Sequence, residues 1–264
     1  LDIGIGTYAL FWEGSEKNPD RLTIEASVRR ASDLGCDVFQ ICDDPRIESY
    51  TPSALAELRG LATSLSVRLE LGTRRVQSDH LGTYIGIAEA LGAPVLRSMI
   101  QADEVAGGTQ QAIDSIGAVL PTLEQAGVTL ALETYEQVST GVLLDVVRAL
   151  GTEHVGICLD PANCVSALEL PNDVIDRCAP HTVDLHVKDF RFARQEGWVG
   201  FTYSGARMGD GLLDLNHELH AVYADGRNPA AIAEHWLPWQ GDIASTVHKE
   251  RDWTLATLEA LRAY

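Results

Sequence analysis

Short apolar, β-rich runs alternate along this chain with longer stretches in which apolar residues recur at helical spacing. The runs predict strands over 3–9, 38–42, 68–72, 95–100, 128–134, 155–160, 183–189 and 230–236. Several are almost wholly apolar, as befits parallel strands covered on both faces. Between them, 23–34, 52–65, 80–91, 110–125 and 141–150 read as amphipathic helices. Gly35, Gly92, Gly127 and Gly151 close four of these helices just ahead of the next strand. A helix stops there in the left-handed conformation that glycine adopts without steric cost.

Strands alternating with helices from end to end predict one α/β domain over 1–264, a closed (β/α)8 TIM barrel. A doubly wound open sheet would announce itself by a glycine-rich loop opening a helix after the first strand. Here Gly4 and Gly6 lie inside the first strand instead. One segment, 190–214, breaks the rhythm. It is too long for an ordinary connection, carries Trp198, Phe201, Tyr203, Gly205, Gly209 and Gly211, and reads as a lid or binding loop.

Barrel enzymes draw their reactive groups from the carboxyl ends of the strands. Four successive strands end in or near Glu133, Asp160, His186 and Glu234, each after an apolar run. Three carboxylates buried side by side require a cation to neutralise them. Oxygen donors with one imidazole suit Mn2+, Mg2+, Co2+ or Zn2+. Lys188 follows His186 by two positions and shares its face of the strand. It is placed either to steady an oxyanion and move a proton, or to pair with Asp189. Arg97 interrupts an apolar strand and needs an anionic partner, either a protein carboxylate such as Glu70 or one on the substrate. His235 follows Glu234, so alternation turns it away and makes it structural. Trp12, Trp198, Trp236 and Trp239 fall near the expected mouth, where they would wall a sugar ring or serve core packing and subunit contact.

Composition narrows the partners. The chain has 264 residues, 45% of them hydrophobic and 22% charged, enough for a full core. With 38 acidic against 20 basic residues the net charge is −18, which repels nucleic acid and anionic membranes. No apolar run is long enough to span a bilayer and no signal-peptide pattern opens the chain, so a cytoplasmic location is expected. Cys36, Cys42, Cys158, Cys164 and Cys178 form no C-x-x-C pair and read as reduced, buried thiols. Neither a phosphate-binding G-x-x-x-x-G-K-[ST] loop nor a serine nucleophile elbow is present, which favours an unphosphorylated substrate and excludes serine-hydrolase chemistry.

The motifs Gly4-Ile5-Gly6-Thr7-Tyr8, Glu133 at its strand end, Leu159-Asp160-Pro161-Ala162-Asn163, His186-Val187-Lys188-Asp189, Gly209-Asp210-Gly211 and Ala233-Glu234-His235 span nearly the whole chain. In these it resembles the xylose isomerase-like TIM barrel superfamily, also called the sugar phosphate isomerase/epimerase family. In ketose 3-epimerases of that family the matching Glu, Asp, His and Glu bind Mn2+ or a similar ion, and the two glutamates exchange protons with the sugar. The resemblance therefore implies a metal set of Glu133, Asp160, His186 and Glu234. It implies Glu133 and Glu234 as acid/base groups, with Lys188 beside them.

The epimerases commonly carry a substrate-binding His three residues after the metal Asp, where this chain has Asn163. The superfamily also holds inosose and dehydroshikimate dehydratases, decarboxylases of 3-oxo sugar acids and subunits of C-glycoside-cleaving enzymes. All form an enolate beside a ketone. The expectation is a divalent-metal-dependent isomerase or epimerase of a small, unphosphorylated sugar or keto-sugar, working through a metal-stabilised enolate. A lyase on a 3-oxo sugar or sugar acid is the alternative, which Lys188 and Arg97 would suit. Tyr8, Trp12, Arg97 and Asn163 are the expected substrate contacts. The expected partner is a small carbohydrate, with a homo-oligomer or a small accessory subunit left open. Apurinic-site endonucleases share the barrel but need more metal ligands and a basic groove, which the −18 charge disfavours.

Overall fold

The computed structural model describes residues 1–264, apart from the side chain of Glu196. Eight parallel strands close into a barrel: β1 (Ile3–Gly6), β2 (Val38–Cys42), β3 (Arg68–Gly72), β4 (Val95–Ser98), β5 (Thr129–Glu133), β6 (Val155–Leu159), β7 (Thr182–Val187) and, after an antiparallel ribbon of β8 (Phe190–Arg194) and β9 (Phe201–Gly205), β10 (Ala231–Ala233). The barrel closes where β10 pairs with both β7 and β1. The helices are α1 (Ile24–Asp33), α2 (Pro52–Ser64), α3 (Ser78–Leu91), α4 (Gln110–Gly117), α5 (Leu120–Ala126), α6 (Thr140–Leu150), α7 (Pro161–Cys164), α8 (Pro171–Cys178), α9 (Leu215–Tyr223) and α10 (Ile243–Arg262).

Local chemistry accounts for many element ends. The side chains of Thr23, Thr51 and Ser139 accept backbone N–H groups at the starts of α1, α2 and α6. Gly35, Gly92, Gly127 and Gly151 take φ between 58° and 68°, the left-handed stops expected of them. The strands and inner helix faces meet in one apolar core that includes Ile5, Phe39, Leu71, Leu96, Leu132 and Ile157. All five cysteines are free and buried. No helix among the described residues is long and apolar enough to cross a membrane.

Four expectations are corrected. The helix expected over 110–125 is two helices, α4 and α5, because Pro121 supplies no N–H and its ring excludes a continuous turn before it. The first strand ends at Gly6 and passes into a 3-10 turn over Thr7–Leu10, so Tyr8 sits past the strand end. The fourth and last barrel strands are shorter than expected, ending at Ser98 and Ala233, which leaves Glu234 one position beyond its strand. Segment 190–214 is not an irregular loop, since its first half is the β8–β9 ribbon, anchored when Tyr203 donates its hydroxyl to the Ala162 carbonyl at 2.6 Å.

Candidate active site

At the carboxyl end of the barrel, four neighbouring elements deliver the expected polar groups. Glu133 ends β5, Asp160 directly follows β6, His186 lies near the end of β7 and Glu234 directly follows β10. The Glu234 amide bonds to the Val187 carbonyl at 3.0 Å, which continues the ladder to this point. Asp160 is also the cap of α7, with Pro161 in the first turn, so its backbone leaves the sheet there. Gly6 makes room opposite, because a Cβ at that position would stand 3.0 Å from Glu234 Oε1.

These side chains converge. His186 Nδ1 lies 3.4 Å from Glu133 Oε1, 3.8 Å from Asp160 Oδ2 and 3.5 Å from Glu234 Oε2, and all four residues are buried. Glu133, Asp160 and His186 each offer a ligand atom within 4.8 Å of the others. Two cations border them. Lys188 Nζ is 2.6 Å from Asp160 Oδ2, 3.3 Å from Glu234 Oε2 and 4.5 Å from the centre of the Trp236 ring. Arg97 Nη2 pairs with Glu133 Oε2, while its Nη1 reaches Asp43 Oδ1 at 3.1 Å and the Thr73 carbonyl at 2.9 Å. Asn163 Nδ2 donates to Glu133 Oε1 at 2.8 Å.

Burial raises the Glu133 carboxyl, but Arg97, His186 and Lys188 together outweigh it and hold the group well below the usual carboxylate range. Burial lowers the His186 imidazole, yet Glu234 and Glu133 pull it up to about 10. Burial pushes Asp160 up to about 6, with Lys188 opposing. The cluster demands positive charge at its centre.

The donor set at this centre is of a kind that could hold a divalent cation. His186 Nδ1 and Glu234 Oε1 are buried without a hydrogen bond, while Glu133 Oε2 and Asp160 Oδ2 have only their ion pairs with Arg97 and Lys188. Unpartnered buried oxygens and an imidazole nitrogen are costly unless something of opposite charge meets them. Behind the cluster, Gln40 Nε2 donates to Asp184 at 2.8 Å and to Glu70 at 3.3 Å, which leaves Gln40 Oε1 to accept from His186 Nε2 at 2.8 Å. The imidazole therefore carries a proton on Nε2, and with a cation bound Nδ1 would turn its lone pair to the ion in place of a second proton.

Two adjoining hollows lie here, and the polar one opens over this cluster. The polar one, about 270 Å3, is lined by Tyr8, Arg74, Arg97, Met99, Glu133, Tyr135, Glu136, Asn163, Lys188, Glu234 and Trp236. The apolar one, about 430 Å3, is lined by Phe11, Trp12, Tyr203, Leu237 and Pro238, and shares Tyr8 and Trp236 with the first.

Of the expected substrate contacts, Tyr8, Arg97 and Asn163 line the polar hollow. Trp12 does not. It faces the apolar one, donates its indole N–H to the Leu237 carbonyl and packs 5.2 Å from Trp239. Trp198 lines neither and is 79% exposed in the turn between β8 and β9.

Glu70 is not the partner of Arg97, since it points into the barrel towards Gln40 and Arg68. Lys188 does not pair with Asp189. That carboxylate accepts the backbone N–H groups of Phe190, Gly209, Gly211 and Leu213 and ties down the segment after the ribbon. His235 turns away from the cluster to Thr254 at 3.0 Å, as expected.

Sequence reasoning missed Gln40, Asp43 and Arg74. Asp43 follows β2 with φ of 52°, a left-handed conformation that a non-glycine residue adopts at a cost. From there it receives Arg97, Arg74 and the Tyr8 hydroxyl. The strand-end rule that found Glu133 would have found Asp43 had it been applied to the second strand.

With this geometry in hand, the comparison with known proteins is decisive for the family. The profile described as Xylose isomerase-like TIM barrel matches residues 28–264. The chain belongs to that family. It is 45% identical over 261 residues to the 3-oxo-isoapionate decarboxylase of Pectobacterium atrosepticum, covering 99% of this chain and 95% of that protein. Among solved structures it is similar to D-psicose 3-epimerase with D-tagatose from Clostridium cellulolyticum H10, at a TM-score of 0.76 and 15% identity over 100% of this chain and 99% of that one. It is also similar to a xylose isomerase-like TIM barrel protein from Mycobacterium smegmatis in complex with magnesium, at 0.70 and 14% over 98% and 97%. The last two likenesses establish the barrel. The first goes further: this member of the family is an enzyme, and the lyase alternative is better supported than the isomerase reading.

Proposed function

We propose that this enzyme is a divalent-metal-dependent lyase that removes carbon dioxide from a small, unphosphorylated 3-oxo sugar acid. The observation that carries this reading is the 45% identity, over nearly the full length of both chains, to a 3-oxo-isoapionate decarboxylase. The site agrees with it in charge. Three cationic side chains, Arg74, Arg97 and Lys188, border one polar hollow that also holds the carboxylate cluster. Each of these cations faces a carboxylate of the chain, but Arg74, the most exposed of them, keeps donors free for the carboxylate of an acid.

In a 3-oxo acid the carboxylate carbon is bonded to C2, and C2 to the ketone carbon. The C1–C2 bond breaks and its electron pair enters the C2–C3–O system as an enolate. Carbon dioxide leaves, and C2 takes one proton to give the shorter ketone. Glu133, Asp160, His186 through Nδ1, and Glu234 would hold the ion. When bound, it polarises the ketone and steadies the negative charge growing on oxygen.

The rest falls to the chain's own side chains. Glu133 has one oxygen on Arg97 and the other on Asn163, so it is clamped as a carboxylate and serves as a ligand. Lys188 stands between Asp160 and Glu234 with Trp236 against it, and it faces the hollow. It is the proton carrier for C2, with Glu234 at 3.3 Å as its relay. Trp236 and Tyr8 border the hollow and exclude water on the side of the apolar one.

A 3-oxo sugar acid labelled with 13C at the carboxyl, incubated with enzyme and Mn2+, is expected to release 13CO2. A panel of ketoses should remain unepimerised. Epimerised ketose with the acid untouched would overturn the reading in favour of an isomerase.

A further inference from the structure

Of the three cations around the polar hollow, two are already committed. Arg97 is buried and its two terminal nitrogens are occupied by Glu133, Asp43 and the Thr73 carbonyl. Lys188 is buried between Asp160 and Glu234. Arg74 differs. Its side chain is 55% exposed, yet it is held in place on one side only: Nε donates to Asp43 Oδ2 at 3.1 Å and Nη2 to the Tyr8 hydroxyl at 2.8 Å. Its Nη1 makes no hydrogen bond among the described residues.

The holding groups are themselves anchored. The Tyr8 hydroxyl donates to Asp43 Oδ2 at 2.9 Å, and Asp43 is pinned from behind by Arg97. The result is a guanidinium pre-oriented at the rim of the hollow, with donors left for an incoming anion. A planar fork of this kind matches a carboxylate in shape as well as charge.

We propose that Arg74 is the residue that recognises the carboxylate of the substrate and so makes this site select sugar acids over neutral sugars. This rests on the decarboxylase reading and assigns the end of the substrate that departs. Because Arg74 shares its charge with Asp43 and remains in contact with solvent, it selects the acid without trapping it. Arg97 and Lys188 act on the cluster side of the same hollow.

The test uses the Mn2+-loaded enzyme and two unreactive probes, threonate as a sugar acid and threitol as its neutral counterpart, titrated calorimetrically. Wild type is expected to favour threonate. Arg74→Met should weaken threonate binding roughly 10- to 100-fold, with threitol and Mn2+ affinities unchanged, and Arg74→Lys should recover part of the loss. Unchanged Mn2+ affinity also reports that the variants are folded. The proposal is overturned by equal threonate affinity in wild type and Arg74→Met, by parallel loss of both probes, or by a wild type that shows no preference for the acid.

Release of 13CO2 keeps this apart from the functional reading. Arg74→Met working at the wild-type KM would sink the Arg74 assignment and leave decarboxylation standing. A wild type that prefers threonate through Arg74 yet releases no 13CO2 would do the reverse.

Discussion

At the scale of single residues, Gln40 shows how a group that touches no substrate governs the site. Its amide spans the barrel interior, giving both N–H groups to carboxylates and its oxygen to His186 Nε2. Removing it frees the imidazole to change tautomer or rotate, takes the Gln40 donor from Asp184 and leaves Glu70 with Arg68 alone. Outer partners of this kind are worth about 10- to 100-fold in metal affinity. Gln40→Leu is therefore expected to weaken Mn2+ binding by about that factor in a calorimetric titration; unchanged affinity would show that His186 needs no such support. Gln40 was not legible in the sequence, since a Gln inside the run Val38-Phe39-Gln40-Ile41-Cys42 looks like any interrupted strand. Glu133, Asp160, His186 and Glu234 were legible because each ends an apolar run, and the position after such a run in a barrel faces the mouth.

At the scale of elements, α9 carries a misfit with a measurable consequence. Glu218 is fully buried on this helix and neither carboxylate oxygen has a hydrogen bond. Burial, with Asp160 adding to it, pushes its carboxyl well above the ordinary value of 4.5. The folded chain thus keeps a proton that the unfolded chain gives up, so stability falls as pH rises above the ordinary glutamate range. The slope is at most about 1.4 kcal/mol per pH unit from this one group. Glu218→Gln removes the titration. Its melting temperature should gain on wild type as pH is raised from about 5 to 8, and parallel curves across that range would contradict the account.

Elements were read well where period alone decides them and less well where a partner decides. The break between α4 and α5 follows from Pro121, a signal present in the sequence. The β8–β9 ribbon was missed because its strands pair only with each other, outside the barrel, and Phe192, Trp198 and Phe201 there are exposed instead of alternating in and out of a core.

At the scale of the whole molecule, barrel closure turns residues far apart in sequence into neighbours. Glu133 and Glu234 are brought to either side of His186, because β10 joins β7 in closing the sheet against β1. The alternation of strand and helix made this closure predictable. The left-handed backbone at Asp43, which gathers Arg74, Arg97 and Tyr8, was not, since a strained φ leaves no mark in residue type. Within a chain of net charge −18, the hollow at the barrel mouth sets Arg74, Arg97 and Lys188 against Glu133, Glu136 and Glu234.

The central claim is that four side chains meet on one cation, and anomalous diffraction from crystals grown with Mn2+ tests it most directly. A single strong peak is expected about 2.0–2.2 Å from Glu133, Asp160, Glu234 and the Nδ1 atom of His186. A peak placed elsewhere, or none at saturating metal, would contradict the account.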